Sequence, residues 1–150
     1  MKRAAHWTRA LEWAIGLSAI VAVGWATLDA VAGKSGDALY ITLGDTRSRA
    51  AEVREIAHNA GSERLTATYV RAQAGQLEPR IEALRNDLMK SESRGSTAAG
   101  LGRRAADRLV TLTRTLGERA DTPPAAGALE AEASVIVDEL LEIERRERPN

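Results

Sequence analysis

The chain has no cysteine and no phenylalanine, and its tryptophans stand only at positions 7, 13 and 25. Without cysteine, disulfides, thiolate zinc sites, iron–sulfur clusters and cysteine nucleophiles are excluded. There is no excess of either charge, since 21 Lys and Arg balance 21 Asp and Glu over 150 residues. A nucleic-acid binder needs a basic excess to displace counterions, so no nucleic-acid partner is expected. Beyond the tryptophans, Tyr40 and Tyr69 are the remaining Phe, Tyr or Trp side chains. The core must then come from Leu, Ile, Val and many Ala, a composition that suits closely packed helices and poorly suits sheets. Length leaves room for one small domain after an N-terminal segment.

That segment is the longest apolar stretch. Residues 13–28 (WAIGLSAIVAVGWATL) carry no charge, and allowing Asp29 the stretch reaches Gly33. A helix over residues 13–33 would span about 31 Å, close to the hydrocarbon thickness of a bilayer. Lys2, Arg3 and Arg9 precede it against the single acid Glu12. Such a bias keeps residues 1–12 cytoplasmic and sends the rest across. A cleaved signal peptide is the main alternative, because Ala30-Val31-Ala32 before Gly33 makes a small-x-small site, and a buried helix of a soluble protein is a third reading. With either an anchor or a signal peptide, residues 34–150 are expected outside the cytoplasm of a bacterial-type cell. Ala14, Ser18, Ala22, Ala26 and Ala30 recur every four residues, a row that lets membrane helices approach closely. The same row arises readily by chance in a segment so rich in small residues.

The rest reads as all-α. Gly33-Lys34-Ser35-Gly36 breaks the apolar pattern, and it is no phosphate-binding loop because the glycine that motif needs is Leu28. Leu39, Leu43, Thr46, Ala50, Val53, Ala57 and Ala60 alternate at four and three, one helical stripe. Gly61 then Ser62 reads as a stop followed by a cap. Leu65, Tyr69, Ala72, Leu77, Ile81, Leu84 and Leu88 form the next set, with Pro79 inside it as either a kink or a break. Leu101, Ala105, Leu109, Leu112 and Leu116 follow after the polar stretch 91–97, and Pro123-Pro124 opens a last set, Leu129, Ala133, Ile136, Leu140 and Ile143. Helices are expected near 37–60, 62–90, 97–117 and 123–147, joined by short turns, which suggests an up-down-up-down bundle.

Charge is uneven along this part. Residues 94–119 hold Arg94, Arg103, Arg104, Arg108, Arg114 and Arg119 against two acids, whereas 120–144 hold seven acids and no Lys or Arg. The economical reading is a basic third helix facing an acidic fourth, with each exposed pair worth about 0–1 kcal/mol. Arg103, Arg104 and Arg108 are thus candidates for contacts to the fourth helix, or for gripping a phosphate or carboxylate. If the first bundle helix leads away from the membrane, the fourth returns to it. Arg145, Arg146 and Arg148 would then meet anionic lipid at the surface.

Candidate chemistry is sparse. Glu55-x-x-His58 is one metal-binding half-motif, but carboxylate-bridged metal bundles need two such motifs, and the other histidine, His6, precedes the apolar run. No Ser or Thr is marked as a nucleophile, and carboxylate pairs such as Glu52/Glu55 and Glu139/Glu142 are common on helix surfaces. No catalytic residue, metal or cofactor is expected. The sequence points to a non-enzymatic, single-pass inner-membrane protein. Its expected role is an accessory or structural subunit that meets other membrane subunits, or its own copies, through the anchor. The layout resembles the sensing part of chemoreceptors and sensor kinases, but residues 123–150 are too charged to supply a second membrane helix. A phage-type envelope-spanning lysis protein is a further alternative, sharing the N-in anchor and helical outer part.

Overall fold

Each helix starts and stops where its local chemistry dictates. The computed structural model describes residues 36–147. The expected membrane helix with Ala14, Ser18, Ala22, Ala26 and Ala30, the stretch 1–12, and Arg148 lie outside those residues. The described part contains no strand and four helices: α1 Gly36–Gly61, α2 Ala67–Glu92, α3 Thr97–Glu118 and α4 Pro123–Glu147. The expected all-α bundle is therefore present. Among the described residues no helix is long and apolar enough to cross a membrane.

α1 ends on a turn that the sequence disguises. The Arg64 N–H donates to the Asn59 carbonyl and the Glu63 N–H to the Ala60 carbonyl, the paired closure that ends many helices. The left-handed residue such a closure needs is Glu63, with φ 56°, rather than the nearby Gly61. Ser62 was expected to cap the next helix, but its hydroxyl donates back to the His58 carbonyl at 2.9 Å. Thr66 caps α2 instead, its Oγ1 accepting from the Tyr69 N–H. α2 consequently begins at Ala67 rather than 62, and this changes which residues face inward. Val70, Ala74, Leu77, Ile81 and Leu88 are its buried apolar set. Tyr69, expected in that set, is 49% exposed because it sits one residue out of phase. α2 is one continuous helix through Pro79, which lies on its exposed side. Ser96 caps α3 by accepting from the Ala99 N–H, and Gly95 supplies the positive φ of 93° that the α2–α3 turn requires.

The core confirms the α1 stripe in full, from Leu39 to Ala60, and joins it to Leu109, Leu112, Leu116, Ala133, Ile136, Leu140 and Ile143. Thr46 and Thr113 are buried within it, and their hydroxyls donate to carbonyls one turn back, at 2.7 and 2.8 Å. No buried side-chain nitrogen or oxygen among the described residues lacks a hydrogen-bond partner.

The helices run up, down, up and down, but they are not evenly packed. α1 lies close against α4, and α2 close against α3, whereas the α3–α4 and α1–α2 seams touch over fewer residues. Small side chains explain the close pairs. A Cβ on Gly117 would stand 3.2 Å from the Ala74 Cβ across the α2–α3 seam, and one on Gly61 would stand 3.5 Å from the Ala126 Cβ across the α1–α4 seam. α1 and α3 also meet through the middle, where a Cβ on Gly102 would stand 2.5 Å from the Leu43 Cδ2.

Candidate functional site: a groove between the third and fourth helices

The loose α3–α4 seam leaves a groove of about 420 Å³, lined by Leu101, Arg104, Ala105, Arg108, Glu139, Glu142, Ile143 and Arg146. Leu101 belongs to the expected α3 stripe, yet it is 38% exposed. Ala98 and Gly102 take the core positions of that turn, and the close approach of Leu43 and Leu88 to Gly102 leaves no room for a larger side chain. Leu101 is thus turned to the α4 flank, where with Ala105 and Ile143 it makes an apolar floor. Long polar side chains form the walls. Arg108 grips Glu139 with one nitrogen at 2.8 and 3.0 Å from the two carboxylate oxygens, and its Nε lies 3.8 Å from Glu132. Arg146 donates from Nε to Glu142 at 3.0 Å, one turn earlier on the same helix. Arg104 has no hydrogen-bond or ion-pair partner among the described residues. Of the three arginines that line the groove, Arg108 meets Glu139 and Glu132, Arg146 meets Glu142, and Arg104 is the unpaired one.

The expected arginines separate into distinct uses. Arg103 turns the other way, to Glu92 at the end of α2 at 2.5 Å and to Asp107 at 2.7 Å. The hydrogen bond and charge of Glu92 hold its guanidinium above the ordinary arginine pKa, with Asp107 adding to the effect. Arg114 pairs with Glu78 on α2, and its pKa is raised in the same way, first by that hydrogen bond and then by that charge. Among the acids of α4, Glu144 meets Arg47 of α1 at 2.8 Å and Glu130 meets His58 of α1 at 3.1 Å. The basic helix therefore does not simply face the acidic one. Its charges are shared with both neighbours, because α3 is closer to α2 than to α4 and α4 is closer to α1. Arg145 and Arg146 are exposed at the end of α4, and the Arg47–Glu144 pair places that end beside the first half of α1.

The sequence named Arg104, Arg108 and Arg146 in two separate groups, and the antiparallel register brings them to one groove. It did not name Leu101, Ala105 and Ile143 as floor, since a stripe residue at the edge of a helical face is indistinguishable by spacing from one in the core. Elsewhere the described surface offers little chemistry. Glu55 accepts from the Asn59 side chain at 2.7 Å, and no group of three His, Asp or Glu residues among the described residues is arranged to hold a metal ion. Comparison of the chain with protein-family models, curated proteins and solved structures returns no match.

Proposed function

We propose that residues 13–33 hold this chain in a bacterial-type inner membrane with residues 1–12 in the cytoplasm. The bundle then works on the extracytoplasmic side, as a non-enzymatic accessory or structural subunit of a membrane complex. The observation that carries this reading is the uncharged stretch 13–28 with Lys2, Arg3 and Arg9 ahead of it. The bundle supports it. Most of its large apolar side chains are used up in its own core and the exposed ones are scattered, so a tether rather than a large apolar surface would bring it to the bilayer. Ala14, Ser18, Ala22, Ala26 and Ala30 are the proposed packing face for a partner helix or a second copy. Arg145, Arg146 and Arg148 are the proposed contacts to anionic head groups, and the first two stand at the end of the bundle where α1 begins.

Extraction of membranes in mild detergent, followed by native gel separation, tests the subunit role: migration in a larger complex is expected, and a lone monomer sinks it. Alkaline washing and protease protection test the anchor, which requires resistance to washing and cleavage of the bundle only from outside. A second reading, an extracytoplasmic ligand-binding or sensing module, is favoured by the groove between α3 and α4. The phage-type lysis reading calls for a long rod, and a folded-back bundle suits it less.

A further inference from the structure

We propose that the α3–α4 groove seats the anionic head group and upper acyl chain of one phospholipid from the membrane the chain is anchored in. This rests on the anchor reading given above. The groove has the two-part character that an amphiphile matches. Leu101, Ala105 and Ile143 give an apolar floor, and burying the first few methylenes of an acyl chain there removes apolar surface from water on both sides. The head group is selected by charge. Glu139 is already engaged by Arg108 and Glu142 by Arg146, so the guanidinium left unpaired in the groove is that of Arg104. A monoanionic phosphodiester satisfies it, whereas a zwitterionic head group brings a second cation that finds its carboxylates already paired.

The position fits the same occupant. The Arg47–Glu144 pair sets the groove's end of α4 beside the first half of α1, the helix that follows the proposed anchor directly in sequence. The remaining lining also favours lipid over protein, because no Trp or Tyr borders the groove, and these are the side chains that anchor tight protein interfaces.

The test uses the full-length chain in phosphatidylcholine nanodiscs doped with a photoactivatable phosphatidylglycerol or, in a parallel sample, a photoactivatable phosphatidylcholine. Labelled peptides are then mapped by mass spectrometry. The anionic probe should label residues 101–108 and 139–146 in preference to the zwitterionic one. Arg104→Gln should lower that labelling about fivefold, the weight of one basic side chain at an anionic surface. Arg104→Lys should retain most of it, and Leu101→Trp, which fills the groove from its partly exposed floor, should abolish it with helix content unchanged by circular dichroism. Equal labelling by the two probes, indifference to Arg104→Gln, or crosslinks to a second protein at these peptides would overturn the proposal. Failure of the chain to co-migrate with the discs would instead overturn the anchor reading, and that is scored separately from the labelling.

Discussion

The two faces of α3 meet their neighbours in different ways. Towards α2 the contact includes Gly117, where a Cβ would stand 3.2 Å from the Ala74 Cβ, and Gly100, which lies under the Glu92 side chain. Towards α4 the contact is built from Leu101 and the Arg108–Glu139 pair, which hold the helices apart and leave the groove. Small residues make a seam that tolerates almost no added volume. Long residues make one that stays partly open and has room for something else. In this bundle, side-chain size along a helix decides which seams close and which stay open.

The largest expected effect is where Leu43 of α1 fills the space that Gly102 leaves on α3. Leu43→Ala should destabilise the bundle by about 2–5 kcal/mol, because Leu43 is fully buried and fills the space over Gly102. Gly102→Leu should cost about 3 kcal/mol by overpacking the same point. The double variant should cost clearly less than the sum of the two, and urea unfolding of all three checks the coupling. Additive costs would show that the two residues do not share one space.

Ion pairs should follow the same division. Glu144 is buried and its partner Arg47 is partly exposed, so Arg47→Met should cost about 2 kcal/mol by leaving a carboxylate unpaired in the close α1–α4 seam. Arg108→Met, in the open seam, should cost less than about 1 kcal/mol, and added salt should erase the difference from wild type. Chemical denaturation at low and high salt separates the two cases. The raised pKa values of Arg103 and Arg114 work in a fixed direction. A base whose pKa rises on folding adds stability below its unfolded pKa and loses it only as pH climbs through the folded value. That lies above the ordinary guanidinium range, so no alkaline loss from these pairs is expected between neutral pH and pH about 10.

Glycines outside the close seams should respond with the opposite sign. Gly75 has open space where a Cβ would go, so Gly75→Ala should stabilise α2 by about 1 kcal/mol. The smallest expected effect is at the end of α1, where Glu63→Gly should raise the melting temperature slightly. Removing the strain of φ 56° is worth about 1–2 kcal/mol, and the extra freedom glycine gives the unfolded chain offsets part of that gain.

Such differences mark what was legible in the sequence. Element type, the α1 and α4 stripes and the α3 stripe from Ala105 onward were readable because four-three spacing sustained over several turns marks one face of a helix. The start of α2 was not, because Ser62 and Thr66 are both good caps and only the left-handed turn at Glu63 selects the second. The site was readable as chemistry but not as a place. Arg104 and Arg146 are 42 positions apart in the chain, and only the antiparallel register sets them at one groove. Which seam is open was not readable either, since it depends on how small residues on two different helices coincide.

The close pairing of α1 with α4 has a consequence for how the chain reaches its native state. These helices are the first and last of the bundle, so their interface cannot close until the whole domain has left the ribosome. The α2–α3 hairpin, joined by a short turn, needs only local closure and can form while α1 still waits for its partner. During synthesis α1 carries the exposed stripe from Leu39 to Ala60, and for that interval the newborn chain shows an apolar surface that the finished bundle hides.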